Sequence, residues 1–231
     1  MKQRTIVFSL VSCFLFLNAA RAQKSSAIFR AGVNIANVTI TNDGDIDKNS
    51  TLTSYQVGIM GDFHILSMLS LQTGVLFTGK GSKTESGDPN GNTYNRATSN
   101  PWYVEIPLYA ILKSPTGPLK FFAGAGPYIA VGIAGKNTTD GKFLGTSFHS
   151  EKAIRWSEDD PSTLDYEEGA GYGIMKRFDY GLNGTAGIQL TKLVLSVNYG
   201  YGLAKLQSGS NSSADDRNKH RVFSFIVGLK L

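Results

Sequence analysis

From Phe29 onward the chain alternates apolar residues with polar or very small ones. Phe29, Ala31, Val33 and Ile35 fall on one side, and Arg30, Gly32, Asn34 and Ala36 on the other. A period of two marks a β-strand whose two faces meet different surroundings. The pattern returns in seven further segments. Tyr55, Val57, Ile59 and Phe63 alternate with Gln56, Gly58, Met60 and Asp62; Leu69, Leu71, Val75 and Phe77 alternate with Ser70, Gln72, Gly74, Thr78 and Lys80. Residues 102–112 carry Glu105 on the less apolar side, and residues 121–133 set Phe121, Ala123, Ile129 and Ile133 against Gly124, Gly126, Tyr128 and Gly132. Three more strands begin near Phe178, Leu193 and Phe223, the last running to Leu231. At ~3.3 Å per residue and a ~40° tilt, ten such residues rise about 25 Å, the height of an outer-membrane apolar band.

The pattern therefore predicts an all-β chain: an eight-stranded, antiparallel, up-and-down transmembrane β-barrel. Periodicity alone leaves inside and outside open, and a soluble lipocalin-like carrier would put the same apolar face into its cup. Residue size favours the membrane solution, because the second face is rich in glycine and suits a narrow interior packed with side chains. Trp102, Tyr109, Tyr180, Tyr199 and Tyr201 lie near strand ends, where an aromatic girdle belongs. Connections supply a second signal. Residues 38–50, 81–100, 135–171 and 206–220 are expected as long loops, alternating with short turns at 64–68, 113–118 and 190–192, the asymmetry of outer-membrane barrels.

The N-terminus changes the charge picture. Lys2 and Arg4, an apolar run over residues 6–17 and Ala20-Arg21-Ala22 form a secretory signal peptide over residues 1–22, leaving a barrel domain over 23–231. A longer-lived membrane anchor and a lipoprotein site at Leu10-Val11-Ser12-Cys13 are the alternatives. Cutting after Ala22 removes Lys2, Arg4, Arg21 and the single Cys13, so the formal charge of +5 drops to +2. A nucleic-acid partner loses its support with that basic excess. Without cysteine an exported chain has no disulfides, and a sheet closed in a membrane is another source of stability.

Four segments carry a resemblance: Tyr103-Val104-Glu105-Ile106-Pro107-Leu108, Gly124-Ala125-Gly126-Pro127-Tyr128, Phe178-Asp179-Tyr180-Gly181-Leu182 and Tyr199-Gly200-Tyr201-Gly202-Leu203. Together they resemble the small outer-membrane β-barrel family that includes PorT-like proteins, over essentially the whole exported chain. The resemblance implies an OmpA/OmpX-like barrel in the outer membrane of Gram-negative bacteria. Through the PorT name it also implies a helper role in protein secretion or gliding. It assigns no site residue, since the quoted segments are strand positions.

Chemistry-bearing clusters are sparse. His64, His149 and His220 are scattered, with His64 expected at the short-turn rim and the other two at the opposite one. A Ser/His/Asp hydrolase on that far rim stays geometrically open, yet no G-x-S-x-G elbow supports it, and the expectation is no enzyme, no cofactor and no metal. Asp43, Asp45 and Asp47 begin a calcium-loop pattern, but Lys48 replaces the turn glycine and Ser54 the bidentate glutamate. Gly169-Ala170-Gly171-Tyr172-Gly173 leads into a strand and lacks the Lys-Ser/Thr of a phosphate loop. Residues 151–168 are acidic with aromatics interleaved, and Trp156, Asp159, Asp160 and Tyr166 are the candidate recognition residues.

On the lumen face the alternation places Arg30, Asp62, Lys80, Glu105, Lys120, Arg177, Asp179 and Lys230. Buried charges need partners. Counting back from the turns pairs Arg30 with Asp62 and Lys80 with Glu105, two ion pairs that would plug the lumen. The expected function is thus a non-enzymatic, monomeric barrel, held by outer-membrane lipid, that displays long loops. Envelope or secretion-machinery proteins are its expected partners.

Overall fold

The computed structural model describes residues 25–38, 51–88, 91–115, 117–156, 174–204, 206 and 219–231. In chain order the strands are β1 (Ser25–Val38), β2 (Leu52–His64), β3 (Leu69–Gly79), β4 (Ser82–Gly87), β5 (Tyr94–Lys113) and β6 (Leu119–Phe143). They continue with β7 (Thr146–Ala153), β8 (Arg155–Trp156), β9 (Ile174–Met175), β10 (Phe178–Leu190), β11 (Leu193–Gly202) and β12 (His220–Lys230). Eight of them, β1, β2, β3, β5, β6, β10, β11 and β12, pair antiparallel in a ring that β12 closes against β1. Stepping from Ser25 through the register partners of each strand in turn returns to β1 at Ile35, ten residues on. Such a stagger over eight strands ~4.8 Å apart gives a tilt of about 40° and a backbone cylinder roughly 16 Å across.

Exposure settles which face looks out. Phe29, Val33, Tyr55, Ile59, Ile129, Leu182 and Phe225 are exposed on the outer wall, while Asn34, Asp62, Lys80, Glu105 and Asp179 are buried inside. An apolar outside and a polar inside is the arrangement lipid requires, and it is the reverse of a carrier's cup. The lipocalin-like alternative is corrected on this ground. Trp102 stacks on Phe77 at 4.7 Å, and Tyr180, Tyr199 and Tyr201 are exposed on the same outer surface. Arg221 lies 3.6 Å over the Tyr201 ring, a cation–π contact at the wall's upper edge. Tyr109 departs from the expected girdle: it shares the parity of Glu105, points inward and is 1% exposed.

The described parts of two segments expected as loops are largely strand. Residues 94–101 of β5 and 135–143 of β6 run on past the wall, flanked by β4 on one side and β7 on the other. The result is a four-stranded sheet standing beyond the barrel. Its sequence, with Asn95, Thr98, Ser99, Asn137, Thr138 and Thr139, is polar on both faces and so carries no period-two hydrophobic signal. The wall's outer alternation exists because lipid covers it, and beyond the lipid that pressure ends.

Candidate functional site

Inside the barrel, charge is concentrated near each end of the lumen. Towards the long-loop end, Lys80 Nζ lies 2.6 Å from Glu105 Oε2 and 2.9 Å from Asp179 Oδ2. It also sits 3.9 Å from the centroid of the Tyr128 ring, whose hydroxyl donates to Asp179 Oδ2 at 3.1 Å. Asn183 Nδ2 donates to Glu105 Oε1 at 2.8 Å. One cation therefore serves two carboxylates, each held by a further donor, which is how a buried ionic cluster is kept from being a liability.

An aromatic lid covers it. Tyr103 is fully buried, meets His220 and Trp156 edge to face, and its hydroxyl lies 3.2 Å from His220 Nε2. Trp156 reaches this position because residue 132 is glycine: a Cβ there would lie 2.3 Å from the indole ring. Below the cluster, the remaining void lined by Gln56, Lys80, Glu105 and Tyr109 is about 20 Å³, room for roughly one water.

Along β5, Tyr109 and Ile111 separate Glu105 from Lys113 on the lumen side, and they pack with Ile28, Met60, Leu76, Phe122 and Val194 in an apolar middle layer. Beyond that layer, at the short-turn end, Lys113 Nζ bonds Asp62 Oδ2, and His64 Nε2 stands 4.0 Å from the same oxygen. Arg30 takes no part in this pair. Its Nη2 donates to Ser196 Oγ at 3.2 Å, since the register sets Arg30 against Gly58 and Asp62 against Ser26. The expected Arg30–Asp62 pairing is thus corrected, although both residues do face the lumen. In a cylinder this narrow, long side chains reach across to β5 or β10 rather than only to the next strand.

The protruding sheet ends in a hairpin whose turn residues, Leu144 and Gly145, have φ of 49° and 83°. Two central residues at positive φ make the turn that matches strand twist, normally an Asn-Gly or Gly-Gly position. Leu144 occupies it while 77% exposed, beside the exposed Phe143 and Phe148. On the flank of the sheet, His149 Nδ1 lies 2.6 Å from Asp140 Oδ1, both solvent-exposed. Among the described residues no hydroxyl bonds the ring's other nitrogen.

A match over residues 21–208 to the outer membrane protein beta-barrel domain agrees with this architecture. The chain belongs to that family. Its place is the bacterial outer membrane. Solved structures to which it is similar include Ail, the attachment invasion locus protein of Yersinia pestis, at 13% identity and a TM-score of 0.41, covering 90% of this chain and 99% of that one. Neisserial surface protein A (NspA) is similar at 12% identity and TM-score 0.44, with 90% and 99% covered. OprG of Pseudomonas aeruginosa is similar at 12% identity and TM-score 0.43, with 90% and 97% covered. No curated protein matches the chain.

Of the residues singled out by sequence, Lys80 and Glu105 are brought together, and Trp156 is turned into the barrel mouth instead of outward. Asp159, Asp160 and Tyr166 lie outside the described residues, as do the signal peptide, Cys13 and Asp43, Asp45 and Asp47. His64 sits beside a short turn, whereas His149 and His220 are at the long-loop side. Sequence reasoning missed Lys113 and His220 as lumen residues, whereas Tyr128 falls on the interior face as its alternation with Ile129 implies. The parity of β5 pointed to the first, since Lys113 is eight residues from Glu105 and shares its face.

Proposed function

We propose that this family member is a non-enzymatic display barrel: the wall anchors it in the outer membrane, and the sheet formed by β4, β7 and the upper parts of β5 and β6 presents a recognition surface. The observation that carries the reading is Leu144. It holds a positive φ of 49° and keeps 77% of its surface in water, two costs that a glycine would avoid. Phe143 and Phe148 extend the same apolar tip, Phe143 eight residues beyond Gly135 and Phe148 opposite Gly141, or roughly 20–25 Å of strand above the wall. An apolar tip so far from the lipid-facing wall suits contact with the apolar surface of a partner protein.

With short turns towards the periplasm, the usual orientation of such barrels, the tip faces the cell's surroundings. Photo-cross-linking groups placed at Phe148 and at Leu66, the latter exposed in the β2–β3 turn, test the reading. Adducts from residue 148 that vanish in Leu144→Asp are expected. Adducts from residue 66 alone would replace display with a helper role in a secretion machine acting through the short-turn side. A hydrolytic activity abolished by His149→Ala would overturn the non-enzymatic reading.

A further inference from the structure

The short-turn mouth of the lumen carries more positive charge than its own partners neutralise. Lys113, Lys120 and Lys230 are close enough for the latter two to act electrostatically on the first, and Asp62 is the carboxylate that meets Lys113. Among the described residues neither Lys120 nor Lys230 has a carboxylate within 4.0 Å. Both line an open cavity of about 620 Å³, together with Ser25, Ser26, His64 and the β2–β3 turn.

Four of the ten buried side-chain atoms without a partner among the described residues lie at the same place. Ser26 Oγ, Asp62 Oδ1, His64 Nδ1 and Ser70 Oγ are all buried and unpaired. The register explains their proximity, because Ser26 faces Asp62 across β1 and β2, and His64 faces Ser70 across β2 and β3. Buried polar groups without partners are uncommon in folded proteins, and such a group in a native structure calls for a ligand, a water or a functional reason. Hydroxyl and imidazole groups donate to oxygen, and lysines supply the charge that a bound anion needs.

We propose that this mouth is a binding site for a phosphate-type oxyanion, contacted by Lys120, Lys230, His64 and Ser26. The Lys113–Asp62 pair lies beside it, Asp62 being the register partner of Ser26. Asp62 is occupied by Lys113, so it does not neutralise the two outer lysines. At 620 Å³ the cavity exceeds a bare phosphate ion and admits a phosphorylated headgroup or another substituted phosphate.

The test uses the full exported chain folded in a zwitterionic detergent. Inorganic phosphate and a short-chain phosphatidylglycerol, with short-chain phosphatidylcholine as control, are titrated against it by calorimetry. Lys120→Gln/Lys230→Gln is the site variant, and Lys136→Gln on the protruding sheet is the control for loss of a surface charge. Heat-modifiable gel mobility establishes that each variant is folded. Saturable binding of either anionic probe that weakens at least tenfold in the double variant, and stays unchanged in Lys136→Gln, is the expected result. Phosphate binding identifies a free oxyanion as sufficient, whereas phosphatidylglycerol binding alone assigns the site to a lipid headgroup. The proposal is overturned if neither probe binds, if phosphatidylcholine competes equally, or if the folded double variant binds as the parent does. A double variant that fails to fold is replaced by Lys230→Gln alone, for which at least a threefold loss is required.

Discussion

The two ends of the lumen solve the same electrostatic problem differently. At the long-loop end, Lys80 is enclosed by Glu105 and Asp179, with donors from Tyr128 and Asn183 on the carboxylates and Tyr103 and Trp156 above. At the short-turn end Lys113 alone pairs with Asp62, Lys120 and Lys230 stand near that pair's lysine, and buried hydroxyl and imidazole atoms have no partner. The first cluster is enclosed, although Asp179 Oδ1 and His220 Nδ1 there are also buried without a partner. The second opens onto a cavity, and an apolar layer keeps the two apart. The lumen therefore holds two polar environments, one enclosed and one open, on either side of an apolar layer.

The largest effect that would sharpen this contrast is expected from Lys80→Met. It leaves two carboxylates buried without their cation and should cost about 3–5 kcal/mol in reversible unfolding from detergent or vesicles, followed by gel mobility. A cost near zero would make the two ends equivalent. Gly132→Ala should come next, because its Cβ cannot coexist with the indole at its present position. Overpacking of this kind costs about 1–3 kcal/mol, and in a Trp102→Phe background the emission of Trp156 should move to the red as the ring leaves the mouth.

Lys113→Met should cost less than Lys80→Met, about 1–2 kcal/mol, because His64 stays 4.0 Å from Asp62 and this mouth of the barrel opens to solvent. Measured in the same unfolding assay, a loss equal to that of Lys80→Met would refute the claim that this end is the looser one. The smallest effect concerns pH and the protruding sheet. Hydrogen bonds from Lys83 and Arg96 hold the Glu85 carboxyl below its usual range, and one from Lys136 does the same for Glu151. A carboxyl whose pKa falls on folding contributes stability above its unfolded pKa and loses it as pH drops through the folded value. Acidification below about pH 4 should therefore speed amide exchange in β4 and β7 while the wall stays protected. Equal acceleration in the wall strands would break the distinction.

How much of this was readable from the sequence depended on what each residue faces. Phe29, Val33, Ile59 and Phe225 announce the wall because lipid imposes one chemistry on every second position over a whole strand. Lumen residues obey the same alternation, so Lys80, Glu105 and Asp179 were placed on the correct face. Their partners were less legible. Arg30 and Asp62 sit on adjacent strands, but the register between those strands is set by the connection from β1 to β2, and lumen side chains also pair across the cylinder. Tyr109 has the aromatic character of a girdle residue, but its parity with Glu105 governs its direction. The protruding sheet left no periodic trace at all, since Thr98, Asn137 and Thr138 have similar surroundings on both faces. For Trp156, acidic neighbours suggested an exposed loop, while the gap above Gly132 draws the ring inward.

Closure between the first and last strands carries a consequence for biogenesis. Ile28 is paired with Lys230 and Val38 with His220, so the final seam joins residues at opposite ends of the polypeptide. Contacts of such sequence separation form slowly, and until they do, β1 and β12 each present an open row of amide and carbonyl groups to lipid. A chain missing β12 would gain nothing from its other seven wall strands, because no intermediate with two free edges is at home in hydrocarbon. Assembly of this barrel is accordingly committed only when its last strand arrives.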